Sequence, residues 1–446
     1  MQIFLYRTRC VLVQKPIYCI NKQYLSMTKK ARGDFSDCRE KRQVHRSALA
    51  DPRFRRYYPA SWFSSLGAWL LRFLLGWSAW ELTQSATWVG IVGALMLAPA
   101  LLLSPWFGIL SDRVNPRRGL QISMMLHSAI ALAGAMTTYW GLYDRVALTL
   151  LAATLGTATS LHSPMRLALV PLLVAREALP SAVGYSAMSF NIARMIGPAF
   201  GAMLVAQIDT VAAWLTAMIL FLTSFWGLSR LDIDQDRPFK ATTSYLNQFI
   251  EGARHLIQRA DLRLLLALTA LNGLLGRTLI ELLPALSGRI LNGGSSELAI
   301  LVAMAGLGSV LGGLLVSRQA ADLKRLLLLV CMGIALSSIT LVTLRGLSGV
   351  PALGFWVALL SVATTVAGTG CQTLIQLNTL PDFRGRVMSI WTMLAMGAPA
   401  LGAAILGAGV DGFGFDLVST VAGLAGLGLI AVFYARRAVV LSTELP

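Results

Sequence analysis

Apolar residues run along the chain in blocks of roughly twenty, divided by short polar turns, and a soluble core has no use for that repeat whereas a bilayer requires it. Twelve blocks are long enough to cross the hydrocarbon, and six of them lie at 58–82, 88–110, 120–142, 146–165, 181–205 and 211–228. The other six lie at 264–286, 298–316, 326–344, 350–375, 387–410 and 417–435. The one long polar interruption falls between spans six and seven, so the pattern predicts a basic tail over 1–57, a six-helix bundle over 58–228 and a linker over 229–263. A second bundle over 264–436 and a short tail over 437–446 complete the chain. Inside the linker, Tyr245, Leu246, Phe249, Ile250, Ala253, Leu256 and Ile257 recur at helical spacing, which predicts an amphipathic helix on the membrane surface.

Composition agrees, with 56% hydrophobic and 13% charged residues. The net charge of +17 raises the question of nucleic acid, and the location of the cations answers it. Assigning alternate loops to opposite sides puts 32 of the 38 Lys and Arg on one side, while Arg145, Arg289 and Arg345 lie on the other. By the positive-inside rule both termini of this multi-pass protein are cytoplasmic, and the excess charge reports topology instead of a nucleic-acid partner. Residues 1–26 make a poor signal peptide, and Met27, followed by Thr28, Lys29 and Lys30, is a natural start, so that stretch reads either as a mis-assigned extension or as a basic segment on anionic lipid. Five scattered cysteines without a C-x-x-C suggest no disulfide framework and no metal site, and no cofactor motif is found.

The halves repeat. Ile196-Gly197-Pro198-Ala199-Phe200-Gly201 in span five resembles Gly397-Ala398-Pro399-Ala400-Leu401-Gly402 in span eleven, and Gly108 to Arg113 after span two matches Gly313 to Arg318 after span eight. Repeated six-helix halves are the build of a transporter that rocks about a site at mid-membrane.

Between spans two and three runs Gly108-Ile109-Leu110-Ser111-Asp112-Arg113-Val114-Asn115-Pro116-Arg117-Arg118, which resembles the loop signature of the major facilitator superfamily. Span five carries Gly184, Ala193, Gly197-Pro198 and Gly201-Ala202, similar to that superfamily's antiporter motif with two glycines replaced by alanine. Ser163-Pro164-Met165-Arg166, the stretch from Gly276-Arg277 to Pro284, and Leu380 to Ser389 look like a branch of bacterial secretion and efflux proteins that includes siderophore exporters. The resemblance implies an all-α fold of twelve membrane helices in two pseudo-symmetric bundles, no enzymatic activity, and a conformational latch at Gly108, Asp112, Arg113, Arg117 and Arg118. It also implies export of a small amphiphilic or acidic compound by a monomer, in exchange for protons. An acid that often precedes the tryptophan of span one is Ala68 here, before Trp69, which puts any coupling role of that acid in doubt.

Arg72, Arg194, Arg277 and Glu281 fall inside spans, where each charge costs about 2.5 to 3.5 kcal/mol on insertion scales, so they are expected to face a cavity or a partner. Arg277 and Glu281, at i and i+4, form either a fixed local pair or a tuned proton carrier. Asn191 and Asn272 are candidates to bind cargo or to bond across helices, and His127 and His162 to shuttle protons or to pack. Movement of lipid or lysolipid, or a receptor without transport built on the same scaffold, remain as alternatives.

Overall fold

A computed structural model describes residues 47–175, 178–231, 245–319, 323–379 and 381–441. The N-terminal tail before residue 47, the acidic start of the linker at 232–244 and the last five residues lie outside these. The described residues form helices and turns without a strand. A single apolar environment explains this, because a backbone in lipid must satisfy its own hydrogen bonds.

The first half contains α1 (Pro52–Thr83), α2 (Ala86–Arg113), α3 (Pro116–Tyr139), α4 (Arg145–Leu169), α5 (Leu179–Gln207) and α6 (Thr210–Ser229). The linker helix is α7 (Tyr245–Gln258). Span seven is broken into α8 (Ala260–Asn272), a π turn (Gly273–Arg277), α9 (Thr278–Glu281) and α10 (Leu283–Leu291). The second half continues with α11 (Ser295–Gln319), α12 (Leu323–Val342), α13 (Val350–Asn378) and α14 (Pro381–Leu441), which turns at Gly414 (φ 81°) into the last two spans. Among the described residues, nine segments are long and apolar enough to cross a membrane. One of these is the folded α14, and α2 adds a shorter apolar helix over Ala86–Pro99. Arg72, together with Ser61, Ser64 and Ser65, dilutes the hydropathy of α1. Every predicted span therefore falls on a helix, with α1 starting at Pro52 instead of 58 and α8 at Ala260 instead of 264.

Local chemistry sets the starts. Asp51, Asn115, Asp144 and Asp209 each accept a backbone N–H of the helix that follows, and proline occupies the first turn of α1 and α3. Leucine, valine and phenylalanine side chains such as Leu132, Leu150, Leu222, Leu311 and Phe355 point outward and exposed, as a lipid-facing surface demands.

The repeated Gly-Pro segments do equivalent work. A Cβ on Gly197 would lie 2.7 Å from Trp69 Cβ, so α5 sits directly on α1, and Gly201 faces Leu70 and Phe73. In the second half, Gly402 faces Leu274 and Thr278, and Gly273 faces Ala398 and Pro399, so α14 sits on span seven in the same manner. Small residues thus press the fifth helix onto the first in each half. Arg72 and Arg277, on those first helices, stand 205 residues apart, the same separation as Gly108 and Gly313.

The linker helix is tied to the second half. Glu251 meets Arg386 at 2.6 Å, and the His255 ring stacks on Phe383 with centroids 4.5 Å apart. Leu256 is buried as the amphipathic pattern requires, but Ile257 on the expected apolar face is exposed.

Candidate functional site

Between the halves lies a cavity of about 100 Å³, part of it open to solvent, and lined from both sides. Trp69, Arg72, Phe73 and Gly76 come from α1, Met96 from α2, and Arg194 and Pro198 from α5. The second half supplies Arg277, Ile280, Glu281 and Pro284 from span seven and Leu298, Val302 and Ala305 from α11. All four intramembrane charges expected from the sequence meet here.

Their pairing departs from expectation. Glu281 accepts a hydrogen bond from Arg72 Nη2 at 2.7 Å, a contact between residues 209 apart that joins the two halves, while Arg277 acts on Glu281 through its charge. Span seven is not a regular helix at this point. The π turn ends at Arg277, Thr278 Oγ1 donates to the Gly273 carbonyl at 2.9 Å, and Leu282 interrupts the helix two residues before Pro284, which has no N–H to continue it. The irregular turns stand on either side of the pair, while Thr278–Glu281 between them is α-helical, so Glu281 turns to Arg72 without any loss of the i, i+4 spacing. The Trp69 indole lies between two cations, with its ring centroid 5.4 Å from the Arg72 guanidinium carbon and 5.8 Å from that of Arg194.

A second charged junction, at the end of the molecule opposite the linker, was not singled out by sequence reasoning. Asp411, in the turn between the last two spans, accepts from Ala86 N at 2.9 Å, Thr87 N at 2.9 Å, Thr87 Oγ1 at 2.6 Å and Ser85 Oγ at 2.5 Å. It thereby caps the N-terminus of α2 from the other half of the chain. Arg289 completes the cluster, donating to Asp411 at 2.5 Å and to the Val410 carbonyl at 2.7 Å. Burial alone would raise the Asp411 carboxyl, but the hydrogen bonds from Ser85, Thr87 and Ala86 outweigh it and hold the group down to about 2. Trp80 is buried close by against the backbone face of Gly288.

The remaining candidates are dispersed. Asn272 is buried and donates across helices to the Thr364 carbonyl at 3.1 Å. Asn191 is half-buried on α5, about one turn before Arg194, and is not among the residues that line the cavity. Gly184 has open space where a Cβ would stand, unlike Gly197 and Gly201. Of the latch residues, the side chains of Gly108, Asp112 and Arg113 lie outside the described set; Arg117 donates to the Leu228 and Ser229 carbonyls at the C-terminus of α6, and Arg118 is exposed. His127 and His162 meet in the core of the first half with ring centroids 6.1 Å apart, and neither is among the cavity-lining residues.

Twelve helices in two repeated halves around a central cavity define a transporter of the major facilitator type, and solved structures share the fold. A POT family transporter superposes with a TM-score of 0.69 at 12% identity, covering 88% of this chain and 96% of that one. The nucleoside transporter NupG superposes with a TM-score of 0.67 at 13% identity, covering 86% and 98%. The chain belongs to the transmembrane secretion effector family of that superfamily, whose profile matches residues 45–444. It is similar to the staphyloferrin A transporter of Staphylococcus aureus, at 24% identity over 85% of this chain and 94% of that protein. It is also similar to macrolide efflux protein A of Streptococcus pyogenes, at 29% identity over 70% and 77%. The protein is a multi-pass membrane transporter and not an enzyme.

Proposed function

We propose that this protein exports small amphiphilic or acidic organic compounds, of the siderophore or drug kind, across the bacterial cytoplasmic membrane by alternating access. The single observation that carries the reading is the Arg72–Glu281 contact, a bond inside the cavity between the two halves that has to change whenever they rock apart. Membership of a secretion family and similarity to a siderophore transporter and a macrolide efflux protein support the outward direction. The cation-rich loops face the cytoplasm, with both termini on that side. In that orientation the Asp411 cluster closes the outer end, which supports reading this form as the one that loads from inside.

Exchange for protons is the proposed driving reaction, carried out by a monomer, and Gly108, Asp112 and Arg113 would form the opposing inner latch. Glu281 is the one acid among the cavity-lining residues and therefore the first candidate to carry the proton. Everted vesicles from cells with and without the protein test the reading. Cargo added to energised vesicles should be taken up and should release a preset proton gradient; uptake with no proton movement defeats exchange, and no uptake of siderophore, macrolide or dye defeats export. Asp112→Asn should slow turnover with little change in cargo affinity.

A further inference from the structure

Resting on the exporter reading above, we propose that the central cavity is built to hold a polycarboxylate, an organic acid carrying at least two ionised carboxylate groups on an apolar body. Three guanidiniums face the cavity against one carboxylate, and that carboxylate is engaged by Arg72. Among the described residues, neither Arg194 nor Arg277 has a hydrogen-bonded partner; Arg194 stands beside the Trp69 ring, and both arginines share the field of the one acid, Glu281, with Arg72. Cations are retained inside a membrane protein where something neutralises them, and here the protein supplies one negative charge for three positive ones. The excess of two positive charges would be matched by two anionic groups on the ligand.

The shapes fit that class. A guanidinium is a planar fork that binds a carboxylate through two parallel hydrogen bonds, which a single point charge does not reproduce. Arg277 is brought to the cavity by the π turn that ends on it, and such irregular backbone occurs inside membrane proteins where it lines a cavity. Arg72 and Arg277 occupy equivalent places in the two repeats, so a ligand bound between them can engage both halves at once. Phe73, Met96, Ile280, Leu298 and Val302 provide an apolar wall for the ligand's body. Glu281 then acts as a placeholder: a third carboxylate on the ligand would compete with it for Arg72.

The test is titration of the full-length protein in phosphatidylcholine nanodiscs at low salt with benzene-1,3-dicarboxylate, its monomethyl and dimethyl esters, benzene-1,3,5-tricarboxylate and inorganic phosphate. By calorimetry the dicarboxylate should bind at least tenfold more tightly than the monoester, and the diester and phosphate should show no binding. Arg194→Gln and Arg277→Gln should each weaken dicarboxylate binding tenfold or more, with Arg→Lys at the same positions restoring part of it. Glu281→Gln frees Arg72 and should tighten binding of the tricarboxylate about tenfold. Diester or phosphate binding as tight as that of the dicarboxylate would overturn the proposal, and so would weaker tricarboxylate binding by Glu281→Gln. The wild-type series decides the matter even if a variant fails to fold. Vesicle export without discrimination by charge rejects the ligand class and leaves the exporter standing. Discrimination in a protein whose vesicles export nothing does the reverse.

Discussion

Two carboxylates join the halves of this molecule, and they are served in opposite ways. Asp411 has donors matched to its oxygens: two amides, two hydroxyls and one guanidinium converge on it, and it has no further demand to meet. Glu281 has one bonded guanidinium and two more nearby whose charge it cannot cancel. The first arrangement is a closed joint that needs nothing from outside the chain. In the second, donors exceed acceptors, and the missing acceptors have to arrive with a ligand. The comparison separates a structural charge cluster from a binding one by the state of its hydrogen-bond accounts, without reference to burial or to sequence position.

Removing Glu281 should have the largest effect. Glu281→Ala leaves three cations facing one another and should cost about 3 kcal/mol of stability, read as a lowered midpoint in thermal unfolding in detergent. The double variant Arg72→Met with Glu281→Met should recover much of that loss, since it withdraws both members of the pair. An unchanged midpoint for Glu281→Ala would mean that the cavity is too wet for the cluster to matter, and the contrast with Asp411 would fail.

A test of the repeated packing comes next. Gly402→Val forces a side chain into Leu274 and Thr278, at the foot of the segment that aims Arg277 and Glu281, and should cost about 1 to 3 kcal/mol together with cargo binding. Gly197→Val should do the same to α1, through Trp69. Gly184→Ala, in the same sequence motif but with open space around it, should leave stability and binding within about 0.5 kcal/mol of wild type. Equal effects at Gly184 and Gly197 would restore the motif as a unit in place of two packing contacts and one free position.

How much of this was legible follows from the same physics. The spans could be read because a bilayer imposes length and apolarity on every crossing, and the four intramembrane charges because lipid makes any charge conspicuous. The partner of Glu281 could not be read. An i, i+4 rule sees only neighbours on one helix, and although Thr278–Glu281 is α-helical, the hydrogen-bonded partner lies 209 residues away on α1, where only the fold brings it. Asp411 was invisible for the opposite reason: an acid in a glycine-containing turn between two spans looks like any solvated loop residue. Its importance comes from the end of α2, which only the fold brings to it.

The smallest effect, and the one that best sharpens the comparison, belongs to Asp411. Asp411→Asn keeps the size and part of the hydrogen bonding but removes the charge that faces the α2 N-terminus and Arg289, so it should cost about 1 kcal/mol. Because the carboxyl is held well below its unfolded value, its stabilising contribution is fully present above about pH 4 and is lost as pH falls toward 2. Stability of the wild-type protein from pH 7 to 5 should therefore carry this group's contribution unchanged, with no pH dependence from it, and the wild-type and Asp411→Asn unfolding midpoints should run parallel over that interval. Thiol labelling of a cysteine placed at Ser85 is not usable, since Ser85 itself donates to Asp411; a cysteine at Leu406, one turn below the cluster, reports opening of the same end. Faster labelling of Leu406→Cys in the Asp411→Asn background, with cargo affinity unchanged, is the outcome expected of a joint. A change in cargo affinity without a change in labelling would place Asp411 on the ligand side of the distinction.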